Sequence, residues 1–196
     1  MPPYPPTASL AVFTAGFSTL PPERFLNNLR TYDIQLLADV RSRPYSRHAP
    51  QFNKEQAERL ARQAGLEYVY LGQELGGMPD DLRFYDPQGY VLYDRIAAEP
   101  WFEAGIQAVF SSLARGRKIV LTCSEDDPRA CHRRLLVGRV LRERGVGLAH
   151  ILANGGLISE SELLDEEATL PRQAPLFEVG PERQWRSARP MRRRDT

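Results

Sequence analysis

Five short apolar runs recur along the chain, and the stretches between them carry helical spacing. The runs are LAVFT (10–14), QLLADVR (35–41), LEYVYLG (66–72), KIVLTC (118–123) and VGLAHIL (146–152). QLLADVR is apolar on both faces until Asp39, and burial on both faces is what a parallel sheet demands. Between the runs, PERFLNNLRTY (22–32) reads as a helix with Pro22 near its start. NKEQAERLARQAG (53–65) has Asn53 to cap it, Gln56 to complete a capping box and Gly65 to stop it. Residues 101–115 place Phe102, Ile106, Val109, Phe110 and Leu113 at helical spacing, and 128–144 read as one long helix. Strands alternating with helices predict a single α/β domain over 10–153, with a mostly parallel, roughly five-stranded sheet covered by helices on both faces.

The remaining segments read differently. Residues 1–9 are proline-rich and predicted irregular. Residues 73–89 form a long loop around Gly76-Gly77, and loops of that length in a compact domain are often functional. The C-terminal extension, 154–196, is predicted partly disordered, with one short acidic helix at 159–168 and a Pro/Arg-rich end.

Charge excludes a global field. The chain has 26 Lys and Arg against 25 Asp and Glu, so attraction to nucleic acid or membrane has to come from a local patch. The two cysteines do not make a disulfide scaffold and suit a reducing compartment. The N-terminal apolar run is short and lacks a basic flank, so the expectation is a cytoplasmic protein without a membrane partner.

Ligands of open parallel sheets sit beyond the carboxyl ends of the strands. Thr14, Gly16 and Ser18 arrive there from the first strand, Asp39, Arg41 and Arg43 from the second, Glu74 with Gly76-Gly77 from the third, and Cys123 from the fourth. A buried Asp39 needs a partner. Pairing with Arg41 to pin the following loop is the plain structural reading; a role as base or orienter is the functional one. Project the helix after Asp127-Pro128 and Arg133 falls on the inward stripe, with Asp39 as its expected carboxylate partner, or an anionic ligand held in bidentate fashion.

LTCSEDDPRACHRR (121–134) holds both cysteines. Cys123 ends a buried strand, the geometry of a thiol nucleophile cradled by backbone N–H groups. Cys123 and Arg129 share the Cys-x5-Arg spacing of the anion loops of rhodaneses and cysteine phosphatases. Glu125, Asp126 and Asp127 fill this loop, however, and like charge predicts a raised Cys123 pKa and a buried, slow thiol. Cys131 is expected to pack. Zinc held by Cys123, Cys131 and His132, with His48 or His150 as fourth ligand, is the competing reading. Neighbours on a helix diverge by about 100°, so Cys131 and His132 are not expected to share an ion, and no metal is expected.

Three segments, carrying four separated motifs, resemble one family. AGFSTLPPERFLNNL, LLADVRSRPYSRHAPQFNKEQAERLARQAGLEYVYLGQELGG and VLTCSEDDPRACHRRLLVGRVLRERGVGLAHIL are similar, in order, to the domain of unknown function 488 family, with its Gly-x-Ser turn, Asp-Val-Arg-x-x-Pro segment, Leu-Gly-Gly loop and Cys-His-Arg helix start. Gly16-Phe17-Ser18 departs from the usual Gly-His-Ser and removes one polar side chain. The resemblance implies a single α/β domain and the motif positions Ser18, Asp39, Arg41, Pro44, Ser46, Gly76, Gly77, Cys123, Cys131, His132 and Arg133. It implies no reaction, substrate or established catalytic residue, and the cofactor is left open.

Two functions compete. In the first, the strand ends form an Arg-rich pocket of a small-molecule or nucleotide-directed enzyme acting on an anionic ligand. Asp39 and Cys123 are then catalytic, and Ser18, Arg41, Arg43, His132 and Arg133 bind the ligand. The alternative is a non-catalytic module for nucleic acid or a phosphate ligand. It draws on Arg41, Arg43 and Arg47 interleaved with Tyr45 and His48, and on the tail arginines 183, 186, 189 and 192–194 around Trp185.

Overall fold

A computed structural model describes residues 11–169 and 185–191. The expected irregular N-terminus and most of the tail lie outside the described residues. The strands are β1 (Ala11–Gly16), β2 (Leu36–Asp39), β3 (Glu67–Tyr70), β4 (Ile119–Cys123), β5 (Gly147–Ile151) and β6 (Leu157–Ser159). They form one sheet in the order β3-β2-β4-β1-β5-β6. The first five strands are parallel, and β6 runs antiparallel to β5. The fold is α/β, with six strands where five were expected. The sequence break at 153 falls between β5 and β6, so the sheet continues past it.

Strand periodicity divides the core. In β4, Ile119, Leu121 and Cys123 face one side and Val120 the other. The Val120 side is covered by α1 (Pro22–Thr31) and α2 (Lys54–Gln63), through Phe25, Leu29, Ala57 and Ala61. The opposite side is covered by α3 (Gly72–Leu75), α4 (Tyr93–Ala97), α5 (Pro100–Ala114) and α6 (Arg139–Glu143). After β6 comes α7 (Glu160–Thr169), the expected acidic helix. Asn53 sits at the start of α2, but its side chain accepts from Ser46 N instead of capping the helix.

The predicted long helix at 128–144 is broken. Asp127 caps a 3-10 turn over Pro128–Ala130, accepting from Arg129 N as Asp-Pro predicts. Cys131 then leaves helical dihedrals, with φ −99 and ψ 139. A wide π-type turn over Arg133–Gly138 precedes α6. Such turns often mark functional positions. The break decides where the cysteine, histidine and arginine of this segment point.

After β1 the chain leaves toward the α1 face, and after β4 toward the α6 face. The two strands are neighbours. A cleft opens at the strand ends between these two loops and the segment after β2, the usual place for a ligand in an open sheet. Residues 185–191 fold back onto this domain. Trp185 Nε1 donates to Leu135 O, and Ser187 N donates to Val91 O.

Candidate functional site

The β1 turn and the β4 loop run side by side. Phe17 N donates to Cys123 O and Ser18 N to Ser124 O, which prolongs the ladder beyond the strands. Ser18 takes a left-handed φ of 50 to make the turn. Gly16 is required here: a Cβ would sit 2.1 Å from Glu125 O. A cleft of ≈ 280 Å³ opens above these loops, lined among others by Phe17, Ser18, Arg41, Ser46, His48 and Ser124.

Asp39 and Arg41 form a fork at the end of β2. Arg41 Nε donates to Asp39 Oδ1 at 2.9 Å and Nη2 to Asp39 Oδ2 at 2.6 Å. Nη2 also donates to Phe52 O. Tyr68 Oη donates to the same carboxylate at 2.9 Å, so Asp39 is fully engaged and wholly buried. The guanidinium stacks 4.4 Å from the Phe17 ring, which in turn packs on Phe25 and Phe52. The phenylalanine at the departure from Gly-His-Ser is therefore the platform for Arg41. Arg41 Nη1 has no partner among the described residues, and Arg41 lines the cleft.

Arg133 is fully buried, as the stripe predicts. Its partner is not Asp39. Its guanidinium donates to the carbonyls of Glu125 and Asp126, and Nε to Thr14 Oγ1 at 3.3 Å. Asp39 is already taken by Arg41, whereas the β4 loop folds its carbonyls directly over Arg133. Arg133 therefore shapes the loop, and its donors are committed. Arg43 lies elsewhere: it pairs with Asp80 and lines a second cleft with Met78, Tyr85 and Met191. Of the expected ligand contacts, Ser18 and Arg41 share the strand-end cleft.

Beneath the loop, Cys123, Cys131 and His132 converge, all three buried. His132 Nε2 lies 2.9 Å from Val40 O. A carbonyl only accepts, so Nε2 carries the hydrogen, and in the neutral ring Nδ1 carries the lone pair. That lone pair faces Cys123 Sγ at 3.6 Å and Cys131 Sγ at 3.9 Å. Gly77 allows the ring this place, since a Cβ there would lie 2.5 Å from the His132 side chain. The helical divergence expected of Cys131 and His132 does not occur, because Cys131 is extended.

The thiols differ. Cys123 is lowered to about 7, chiefly by the hydrogen bond from Cys131; burial opposes this, and the charge of Arg133 and the amides of Glu125 and Ser124 assist. This corrects the expected upward shift. Glu125 turns away to Arg189 and Asp127 to Arg129, so their charges are spent elsewhere. Burial, with the neighbouring Cys123, pushes Cys131 up.

A second network escaped the sequence reading. Thr14 Oγ1 meets His150 Nδ1 at 2.8 Å, and His150 Nε2 meets Glu160 at 2.8 Å. Arg134 bridges Glu160 and Glu167. Burial raises the Glu160 pKa, but the hydrogen bonds from His150 and Arg134 hold it below the ordinary carboxylate range. Glu160 and Glu167, seven apart on one helical face, were the available signal. His150 is thereby committed away from the cysteines, and His48 lines the cleft.

No described helix is long and apolar enough to cross a membrane. Residues 21–140, more than half of the chain, match the family described as Domain of unknown function DUF488. None of the curated proteins compared matches the chain.

Proposed function

Because the chain belongs to the DUF488 family, whose description assigns no activity, we propose its function from the site: an enzyme that holds a small molecule or nucleotide by an anionic group in the strand-end cleft and reacts through Cys123. The observation that carries this reading is Arg41. Asp39, Phe52 O and the Phe17 ring fix its guanidinium from one side, and Nη1 is left for the cleft. A preorganised guanidinium loses little entropy on binding a carboxylate or phosphate. Ser18, Ser46 and His48 add polar groups around it. Asp39 acts as the orienter of Arg41.

Cys123 does not line the cleft; it precedes Ser124, which does, and its buried side chain, 6% exposed, faces the α6 side of the sheet, so this reading requires the β4 loop to move and admit the substrate. Its sulfur forms a bond to an electrophilic centre of the substrate. The leaving group departs with its bonding pair, and the thiol proton passes to His132 Nδ1, 3.6 Å away. Val40 O and Gly77 hold the imidazole for that transfer.

The nucleic-acid alternative draws less support. Arg43, Arg186 and Arg189 are each paired with a carboxylate, which neutralises the basic surface a polyanion needs. Arg183 and Arg192–Arg194 lie outside the described residues.

Calorimetric titration with inorganic phosphate, nucleoside phosphates and short-chain carboxylates tests the cleft. Binding of at least one class is expected, weakened tenfold or more in Arg41→Lys, which keeps the charge and loses the fork. Unchanged affinity in that variant overturns the reading. Oligonucleotide binding that collapses between two salt concentrations, without small-ligand binding, favours the nucleic-acid module.

A further inference from the structure

We propose that Cys123, Cys131 and His132 form a binding site for one zinc ion. The donors are Sγ, Sγ and Nδ1, and all three lie within 4.8 Å of one another.

The spacing is the first argument. Zinc binds thiolate at about 2.3 Å and imidazole at about 2.0–2.1 Å, so a tetrahedron sets S···N at about 3.6 Å. Here the two S···N separations are 3.6 and 3.9 Å. Little movement is needed to admit an ion.

The orientation of the imidazole is the second. Metal-bound histidines donate their other ring N–H to a carbonyl or carboxylate, which fixes the tautomer. His132 Nε2 does this to Val40 O, at the end of β2. The Nδ1 lone pair is thereby aimed at the sulfurs before any ion arrives. The missing Cβ of Gly77 leaves the space that the His132 side chain occupies in this orientation.

Tyr93 is the third. It is completely buried, and its hydroxyl is the single buried side-chain N or O without a hydrogen-bond partner among the described residues. Both cysteines lie close enough for their charge to act on it. A hydroxyl orphaned in this way costs on the order of 1–3 kcal/mol. The unpartnered hydroxyl beside the two sulfurs marks a buried place where a polar group, such as water on a bound ion, is wanted.

Charge and softness select the ion. Two thiolates and an imidazole suit zinc over magnesium or calcium, which take oxygen ligands. Two thiolates also neutralise a divalent ion at this buried place. The site stands whether or not Cys123 reacts with a substrate. If it does, the ion takes the place of the thiol proton: coordination keeps the sulfur as thiolate, a recognised route to an activated nucleophile, and no proton passes to His132 Nδ1 in the zinc-loaded protein.

The test uses the full chain. Purified protein is stripped with a chelator and titrated with Zn2+ against a chromophoric indicator, then with Co2+. One equivalent of zinc is expected, and cobalt is expected to give the thiolate charge-transfer band and the intense visible bands of tetrahedral coordination. Cys131→Ser, which leaves Cys123, His132 and the Arg41 cleft in place, is expected to weaken zinc at least a hundredfold and to abolish the charge-transfer pattern of two thiolates. Less than half an equivalent of zinc, or undiminished zinc affinity in Cys131→Ser, overturns the site. Folding of that variant is checked by its far-ultraviolet dichroism; should it unfold, zinc protection of Cys123 from alkylation in the unaltered, chelator-stripped chain decides instead, and unchanged alkylation of Cys123 overturns the site. Phosphate titration of the same samples is independent of these readouts, so failure of the zinc site and failure of the Arg41 cleft are told apart.

Discussion

His132 Nε2 donates to the carbonyl of Val40 at 2.9 Å, tying the segment after β4 to the end of β2. That bond joins the two halves of the site. On one side of Val40 stands the Asp39–Arg41 fork, and on the other the two sulfurs.

Arg133 supports the loop that roofs the sulfurs. Arg133→Met keeps most of the volume and removes the donors for Glu125 O, Asp126 O and Thr14. Stranded carbonyls and a lost buried network cost on the order of 3 kcal/mol. Urea unfolding measures this. A loss below ~1 kcal/mol means that water satisfies the loop without the arginine.

Asp39→Asn leaves Arg41 buried with a neutral partner. Breaking a buried pair from one side costs about 3–5 kcal/mol. Thermal unfolding is expected to register that loss, together with weaker phosphate binding, since the fork no longer aims Nη1. Full stability with unchanged binding contradicts the orienter role of Asp39.

Thr14 connects Arg133 with His150, and through Glu160 with α7. Thr14→Val conserves shape and removes the hydroxyl. Two buried partners lose a bond, at about 1–3 kcal/mol. Hydrogen exchange is expected to rise both in the β4 loop and in α7. A rise in only one of them disproves the coupling.

The Cys123 thiol is lowered to about 7 from its ordinary value of 9.0. Its deprotonated form is favoured by the fold, so that contribution to stability is complete above the unfolded value and is lost as pH falls through about 7. In chelator-treated protein, iodoacetamide labelling of Cys123 is expected to rise with an inflection near 7, and Cys131 is expected to stay unlabelled. Mass spectrometry of the peptides separates the two. An inflection for Cys123 at or above its ordinary value of 9.0 removes the influence of Cys131 and Arg133.

What the sequence determined is what depends on near neighbours. Burial of β2 on both faces, the helices between strands, the Asp127 cap and the inward place of Arg133 all follow from periodicity and turn chemistry. Tertiary structure decided the partners. Asp39 and Arg133 both sit at strand ends, but charge pattern alone does not say which loop lies over which guanidinium; the path of the β4 loop placed main-chain carbonyls on Arg133 and left Asp39 to Arg41. The sixth strand arose because β5 offered a free edge to Leu157–Ser159. The metal-ligand geometry turned on one residue. Extrapolating a continuous helix from Pro128 separates Cys131 from His132, whereas the short 3-10 turn ends at Ala130, Cys131 is extended, and both side chains swing toward Cys123. A change of one residue's dihedrals redirects everything after it, and only packing against β2 and Gly77 selects that change.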